Sequence, residues 1–199
     1  MLYQLVVWVT KVWGRLFYGL EYDGLENIPD GGGFIVVSNH RSYWDPFFIG
    51  LSLMPRRLAI MAKKELFKNK LVGRFVSHFG AFPVDRGAGD MGAVDYAVQA
   101  VKEGRVLVIF PEGTRSREPE MLRFKSGAAH IIAQAGVNVL PVAIDFKGRI
   151  HPGGKVRIHI GKVLTCGELG LDGEYSLGAV RRATKVLRES VDSMLVLCR

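Results

Sequence analysis

Apolar residues along this 199-residue chain follow two alternating patterns. Unbroken β-branched runs such as FIVVS and VLVIF are typical of strands that are buried on both faces. Between them lie stretches whose apolar residues recur every three or four positions, as in amphipathic helices. This alternation predicts an α/β fold, a single domain whose mostly parallel or mixed central sheet is flanked by helices. Strands are predicted over residues 34–38, 58–61, 81–84, 106–110, 139–144 and 155–160, and helices over 46–53, 64–78, 89–103, 126–135 and 176–197.

The first twenty residues form a separate amphipathic pattern, with apolar positions at helical spacing and two cations inside the segment. Those internal charges argue against both a secretory signal and a transmembrane helix. A helix packed on the core is one interpretation. We favour a helix that lies in the membrane interface, where Trp8 and Trp13 would sit at headgroup depth. The chain is therefore divided into a membrane-associating helix over residues 1–20 and a globular domain over residues 21–199.

The balance of charge is basic, with 27 Lys and Arg against 19 Asp and Glu, a formal net charge of +8. Such a chain is suited to nucleic acid or to an anionic membrane surface. No nucleic-acid-binding motif accompanies the cations, so we expect no nucleic acid partner. Apolar residues interleave the densest basic stretch, which favours a membrane-facing segment over a plain solvated helix face. That stretch contains Arg56, Arg57, Lys63, Lys64, Lys68, Lys70 and Arg74, with Glu65 as its one acid.

Cysteine and histidine spacing gives no sign of a disulfide framework or a metal site. Cys166 and Cys198 are far apart and belong to no CxxC or Cys/His pattern. The five histidines show no paired ligand spacing either, so we expect no metal. A reducing, cytosolic environment is the simplest interpretation.

The segment SNHRSYWD directly follows the first predicted strand and contains a candidate catalytic pair. His40 and Asp45 are separated by four residues, so a turn can fold the carboxylate back onto the imidazole. A carboxylate in that position fixes the ring tautomer and stabilises the imidazolium, as a general base acting on an alcohol requires. The alternative is that Asp45, which precedes Pro46, merely caps the next helix.

Two further segments place cations after predicted strands. In FPVDRG, Arg86 could hold a phosphate at the sheet edge, or could simply pair with Asp85. In FPEGTRSR, Gly113 permits a tight turn, and Arg115 with exposed backbone amides would form an anion-binding nest. Lys125 follows in FKSG, where a helix is predicted to begin. The apolar segment VLPVAI is expected to pack beneath these loops.

In this order and spacing, NHRSYWD, FPVDRG, FPEGTRSR with FKSG, and VLPVAI resemble the glycerolipid acyltransferase family. The likeness extends from about residue 23 to 161 and is greatest to the bacterial 1-acyl-glycerol-3-phosphate (lysophosphatidate) acyltransferases. It implies transfer of a fatty acyl group from a thioester, acyl carrier protein or coenzyme A, to the free hydroxyl of lysophosphatidate. The product is phosphatidic acid, made for phospholipid biosynthesis, with no cofactor besides the acyl donor. Another lysolipid or glycerol 3-phosphate is the alternative acceptor.

The resemblance also implies roles for individual residues. His40 corresponds to the general base and Asp45 to its orienting partner. The reaction itself also requires oxyanion donors, for which backbone amides of the turns around residue 40 or residue 113 are the candidates. The basic stretch would contact membrane phospholipids or the acyl donor, through Lys63, Lys64, Lys68 and Lys70. The implied substrate-binding residues are Arg86, Glu112, Gly113, Thr114, Arg115 and Lys125.

These expectations place the protein on the cytoplasmic face of the cell membrane, as a peripheral or monotopic enzyme. Two other classes of function stay open. A hydrolase would use Ser38 or Ser42 as nucleophile, although no G-x-S-x-G elbow is present to expose either serine. A non-catalytic lipid-binding or nucleic-acid-binding module would use His40 and Asp45 only to stabilise a turn.

Overall fold

A computed structural model describes residues 12–85, 90–118, 120–173 and 176–196. Within these ranges, seven strands form one sheet, with helices packed against it. The strands are β1 (Leu20–Asp23), β2 (Phe34–Ser38), β3 (Leu58–Lys63), β4 (Ala81–Val84), β5 (Val106–Ile109), β6 (Val139–Phe146) and β7 (Val156–Ile160). The helices are α1 (residues 12–18), α2 (Asp45–Leu53), α3 (Lys70–His78), α4 (Met91–Lys102), α5 (Gly127–Ala135) and α6 (Leu177–Val196).

The strand order across the sheet is β1-β7-β6-β2-β5-β3-β4. Neighbouring strands are parallel except for β6 and β7, which are antiparallel, so the predicted mixed sheet is confirmed. Strands β2 to β6 all run in the same direction. Their carboxyl ends therefore lie at one edge of the sheet, where open α/β sheets carry their binding sites.

Strand β2 shows why the sheet is covered on both faces. All five of its residues are buried. Because side chains alternate across a strand, Ile35 and Val37 pack with apolar residues of α4, α5 and α6. Phe34 and Val36 enter a second core with residues of α2. The single α/β domain with flanking helices is thus confirmed.

One predicted helix is two elements in the structure. Residues 64–78 comprise a short 3-10 turn over Lys64–Phe67, followed by α3. The side chain of Asn69 accepts hydrogen bonds from the backbone N–H groups of Leu71 and Val72, so it starts a new helix rather than continuing the old one. The other predicted helices and strands agree with the structure to within two residues at each end.

The amino-terminal helix turns directly into the sheet. Helix α1 ends at Tyr18 because Gly19 adopts a positive φ of 51°, and Leu20 begins β1, a strand that was not predicted. The Tyr18 ring packs 5.5 Å from the Phe48 ring. Trp8 lies outside the described residues, and the predicted membrane association of residues 1–20 stays a prediction. In the described part of the chain, no helix has both the length and the apolar character needed to cross a bilayer.

Candidate active site

Two loops meet at the carboxyl edge of the sheet, one after β2 and one after the neighbouring β5. The backbone N–H of His40 donates to Glu112 Oε1 at 2.8 Å. In return, the N–H of Ser116 donates to the carbonyl oxygen of His40 at 2.7 Å. The first and third chemical segments, far apart in sequence, are therefore bonded to each other on both sides of His40.

The catalytic pair predicted from its spacing has hydrogen-bonding geometry. His40 Nδ1 lies 2.9 Å from Asp45 Oδ2, and Asp45 is fully buried at the start of α2. The same oxygen accepts the backbone N–H groups of Arg41 and Ser42, each at 2.7 Å. The carboxylate thus binds the loop before α2, while Trp44 occupies the cap position of that helix. The alternative in which Asp45 simply caps α2 is not what the structure contains.

The ring of His40 is packed against an aromatic ring and is partly exposed to solvent. It stacks on Phe110, with 4.3 Å between ring centroids. Its side chain keeps 12% of its surface exposed. A carboxylate beside Nδ1 favours the tautomer protonated there, which leaves the Nε2 lone pair to accept a proton. The arrangement can therefore act as a general base.

Glu112 lies beneath the site, and only 2% of its surface is exposed. Its second oxygen, Oε2, accepts the N–H of Leu122 at 3.1 Å, so both oxygens are bonded to backbone amides. The pKa of Glu112 is raised to about 7, chiefly by burial; the two amide hydrogen bonds and Arg188 oppose this rise, and the nearby charge of Asp45 adds to it. In this position Glu112 braces two loops. Its predicted contact with substrate stays a prediction.

The turn that follows Glu112 brings a lysine over the loop. Gly113 has a positive φ of 70° and donates its N–H to the Phe110 carbonyl at 3.0 Å. A Cβ at Gly113 would lie 3.0 Å from Lys125 Nζ, so the ammonium group passes directly beside this turn. The N–H of Lys125 also donates to the Pro111 carbonyl at 2.9 Å. Thr114 is exposed in the same turn.

Arg115 reaches the other loop through an aromatic ring. Its guanidinium carbon lies 3.3 Å from the centroid of the Tyr43 ring. Stacking uses the face of a guanidinium and leaves its edge N–H groups directed outward, where they suit an anion. The second predicted phosphate ligand, Arg86, lies outside the described residues. Its proposed neighbour Asp85 forms an ion pair with Lys64.

Two side chains that anchor the loop after β2 were not predicted from the sequence. The side chain of buried Asn39 accepts the N–H of Ile144 at 2.8 Å and donates to the carbonyl of the same residue at 3.0 Å. Arg41 Nη1 donates to the Phe146 carbonyl at 2.9 Å, and its guanidinium lies 4.2 Å from the Phe146 ring centroid. Both residues fasten the loop after β2 to the end of β6. The signal in the sequence that could have identified them is the presence of polar residues directly after an apolar strand.

The serines of the hydrolase alternative are poorly placed to act as nucleophiles. Ser38 is fully buried, and its hydroxyl donates to the Asn39 carbonyl at 3.2 Å. Ser42 Oγ accepts the N–H of Trp44 at 3.2 Å. The imidazole of His40 instead bonds Asp45, which is the arrangement expected for a base that acts on a substrate hydroxyl.

Backbone amides in the two turns are largely used within the protein. His40 N–H and Gly113 N–H donate to Glu112 and Phe110, as described above. The amides of Arg41 and Ser42 both donate to Asp45. These four predicted donors therefore have partners within the protein and are not free to bind an oxyanion in this conformation.

The predicted membrane or donor contacts lie in and around the 3-10 turn after β3, and on α1. Lys63 Nζ is 3.5 Å from Glu65 Oε1, and Lys64 pairs with Asp85. Lys68 and Lys70 are exposed, as is Trp13. Among the described residues, no group of three or more His, Cys, Asp and Glu side chains could hold a metal ion.

Comparison with known proteins gives consistent matches. The family model described as Acyltransferase matches residues 19–145, which contain both loops. The chain is 32% identical over 166 residues to the 1-acyl-sn-glycerol-3-phosphate acyltransferase of Bacillus subtilis, covering 82% of each chain. It is 36% identical over 124 residues to the enzyme of that name from Streptococcus pneumoniae, covering 61% of this chain and 46% of the relative.

A solved structure is similar over nearly the whole fold. The crystal structure of the 1-acyl-sn-glycerophosphate (LPA) acyltransferase PlsC from Thermotoga maritima superposes with a TM-score of 0.74 and 30% sequence identity. The match covers 95% of this chain and 76% of that chain. The loops that carry His40 and Glu112 therefore lie on a scaffold shared with a structure of that description.

Proposed function

Because this chain belongs to the acyltransferase family, we propose that it transfers a fatty acyl group from a thioester to the free hydroxyl of 1-acyl-glycerol-3-phosphate. The product would be phosphatidic acid, and the donor would be acyl carrier protein or coenzyme A carrying the acyl chain. The names of the similar proteins support this acceptor. The observation that carries the proposal is the 2.9 Å contact between the partly exposed His40 ring and buried Asp45.

In the proposed reaction His40 Nε2 takes the proton of the glycerol hydroxyl as that oxygen attacks the thioester carbonyl. A carbon–oxygen bond forms, and collapse of the tetrahedral intermediate breaks the carbon–sulfur bond. The thiolate leaves and takes the proton back from the imidazolium, which Asp45 stabilises meanwhile. General base catalysis of this type contributes about 10² to 10⁴ in rate. Because the thioester is already activated, the reaction needs neither a covalent enzyme intermediate nor a cofactor.

The phosphate of the acceptor would be held by Arg86 and Arg115, with the Lys125 ammonium beside them. Arginine binds phosphate through two parallel N–H groups, which fixes the orientation of the ligand as well as its position. The turn containing Gly113 and Thr114 would complete this subsite. Fixing the phosphate places the free hydroxyl beside His40, and such positioning can contribute as much as the base itself.

We further propose that the protein works at the cytoplasmic face of the cell membrane, held peripherally by residues 1–20 ahead of a catalytic domain over residues 21–199. Drawing a lipid tail out of the bilayer costs about 0.8 kcal/mol per methylene, so an enzyme for lysolipids gains by meeting them at the interface. Trp13, exposed on α1, is suited to headgroup depth. Fractionation of cells expressing the chain without residues 1–11, or with Trp13→Glu, tests this location, because these changes spare the buried residues Tyr18 and Leu20; a wild-type chain that stays in the soluble fraction would contradict it.

Thiol release from acyl coenzyme A and from acyl carrier protein, with and without lysophosphatidate, tests the reaction. A transferase releases thiol only with the acceptor, a hydrolase releases it without, and a binding module releases none. A panel with glycerol 3-phosphate and other lysolipids identifies the acceptor.

We expect His40→Ala to lose at least about 10² in rate while the chain stays folded. His151→Ala is the matched control, because His151 is exposed and its ring bonds only the local Pro152 carbonyl among the contacts described. Full activity of the His40 variant would refute the assignment of the base.

A further inference from the structure

Helix α3 carries a stripe of large apolar side chains on the outside of the protein. Leu71 is 82% exposed and Phe75 is 64% exposed. Val72 and Phe79 are also exposed, and Phe79 directly follows the helix. Leu71, Phe75 and Phe79 are spaced four residues apart, so they lie along one side of the helix and line an open groove there. A helix with an apolar stripe ordinarily turns that stripe toward a core.

The interior of the protein makes almost no use of this helix. Gly73 is the one buried residue of α3 in the described chain, and a Cβ there would lie 3.2 Å from the Cα of Phe67. The close approach of Gly73 to the preceding 3-10 turn fixes the helix to the fold. Neither of the two hydrophobic cores of the described residues contains an α3 side chain. The stripe therefore lies on the outside of the protein, while the helix approaches the fold closely at Gly73.

The apolar stripe is bordered by cations. Lys68, Lys70 and Arg74 are all exposed. Nearby carboxylates are occupied elsewhere, since Glu65 pairs with Lys63 and Asp85 pairs with Lys64. Exposed apolar side chains among cations match the two parts of an anionic bilayer surface, acyl chains below and phosphates above.

Aromatic contacts connect the stripe to the candidate active site. The Phe75 ring lies 5.1 Å from Phe79, and the Phe79 ring lies 6.2 Å from Phe47. The Phe47 ring then lies 6.0 Å from Trp44, the residue immediately before Asp45. The surface formed by α3 is thus continuous with the rim of the site.

We propose that the outer face of α3 is a docking surface for an anionic phospholipid bilayer, separate from residues 1–20. Leu71, Phe75 and Phe79 enter the acyl region, while Lys70 and Arg74 bind phosphates. Docking through this face brings the rim at Trp44 to the lipid surface, so that an acceptor reaches His40 without leaving the membrane. This last step rests on the proposed function, whereas the docking itself does not.

The first test compares vesicle binding of the full chain and a double variant, Leu71→Glu with Phe75→Glu. The vesicles contain equal amounts of phosphatidylcholine and phosphatidylglycerol. We expect the variant to bind at least about ten-fold more weakly, since two apolar groups that would enter the acyl region become charged. The control is Leu177→Glu with Met91→Glu, which alters equally exposed apolar residues of α6 and α4 and should change binding by less than about two-fold.

Turnover of a dispersed short-chain lysophosphatidate separates this inference from the proposed function. Retention of the wild-type rate by the α3 variant shows that its fold and site are intact. Failure of the wild-type chain to transfer contradicts the proposed function alone, because vesicle binding requires no turnover. Unchanged vesicle affinity of the α3 variant overturns the docking surface.

A second measurement tests directly whether the α3 surface enters the bilayer, and whether a bilayer or a protein covers it. Nitroxide labels are placed through Leu71→Cys, Phe75→Cys or Leu177→Cys in a chain whose Cys166 and Cys198 are replaced by Ser. With vesicles, we expect labels at the first two positions to become shielded from a water-soluble nickel complex and accessible to oxygen, and the third to stay as in solution. Labels at 71 and 75 that stay open to nickel, or that are shielded by acyl carrier protein and not by vesicles, overturn the proposal.

Discussion

The stability of the folded chain depends on pH through Glu112, whose carboxyl group is buried and hydrogen-bonded to two backbone amides. Its pKa is about 7 in the folded chain, against an ordinary value of 4.5, and burial is the main cause. Between these two pH values the folded chain retains a proton that the unfolded chain has released. The contribution of Glu112 to the free energy of unfolding therefore falls as pH rises through this window and is level above it.

We predict that Glu112→Gln removes this dependence. The amide cannot ionise, and it can accept only one of the two N–H groups, so its cost is the same at every pH. Urea unfolding at a series of pH values should show the stability of the wild-type chain relative to the variant falling by on the order of 3 kcal/mol between the two pKa values. Parallel stability curves would mean that the carboxyl group titrates at its ordinary value in the folded chain.

Among the contacts described, Tyr43 meets Arg115 through the face of its ring. A cation over an exposed aromatic ring contributes about 0.5 to 1 kcal/mol, which corresponds to a two- to five-fold effect on binding. We predict that Tyr43→Ala raises KM for lysophosphatidate by about that factor with little change in kcat, and that Tyr43→Phe behaves as wild type. Monoacylglycerol, which lacks the phosphate, is the control acceptor. An equal effect on both acceptors would show that Tyr43 does not act through phosphate binding.

Among the secondary structure elements, β2 and β6 depend on a side chain to complete their pairing. Asn39 supplies both a donor and an acceptor to Ile144, just beyond the last residue pair of the two strands, Ser38 with Val142. Asn39→Ala leaves the buried N–H and carbonyl of Ile144 without these partners. We predict a loss of about 2 to 4 kcal/mol in the free energy of unfolding, measured by urea denaturation. A loss below about 0.5 kcal/mol, as at an ordinary surface site, would show that water replaces the amide there.

Local patterns predicted most of these elements because their determinants are close in sequence. The apolar runs of β2 and β5 are buried on both faces and need no knowledge of their partners. Strand β1 was missed because it has four residues, two of them acids, and is identified by its pairing with β7. There Glu21 contacts Lys155 and Arg157 across a long separation in sequence.

The same distinction applies within the candidate site. His40 and Asp45 are separated by one turn of chain, so their contact followed from spacing and the need to fix a tautomer. The brace formed by Glu112 and the pairing of Asn39 depend on partners 72 and 105 residues away. No periodicity encodes such contacts, because they exist only after the sheet has placed β2 between β5 and β6.

At the scale of the whole molecule, the candidate site lies at the edge of the sheet where five parallel strands end. Exposed apolar residues of α1 and α3 are connected to it through ring contacts around the start of α2. The carboxyl ends of β2 to β6 share one edge, and the loops after β2 and β5 form the site there. Ring contacts continue from Trp13 on α1 through Tyr18 to Trp44 on the rim of the site. The rings of Trp44 and Phe47 at the start of α2 therefore contact Tyr18 of α1 on the one hand and Phe79, which follows α3, on the other.

With a net charge of +8, the proposed attachment to an anionic membrane surface should depend on salt. Each cation near such a surface contributes about 1 kcal/mol, and the attraction decays over a Debye length, about 10 Å at 0.1 M salt and 3 Å at 1 M. We predict that affinity for vesicles with phosphatidylglycerol falls by at least about ten-fold over this range of salt, while affinity for pure phosphatidylcholine vesicles changes little. Replacing Lys68, Lys70 and Arg74 by Gln should weaken this salt dependence. Equal salt dependence on both kinds of vesicle would show that apolar contacts alone hold the protein at the surface.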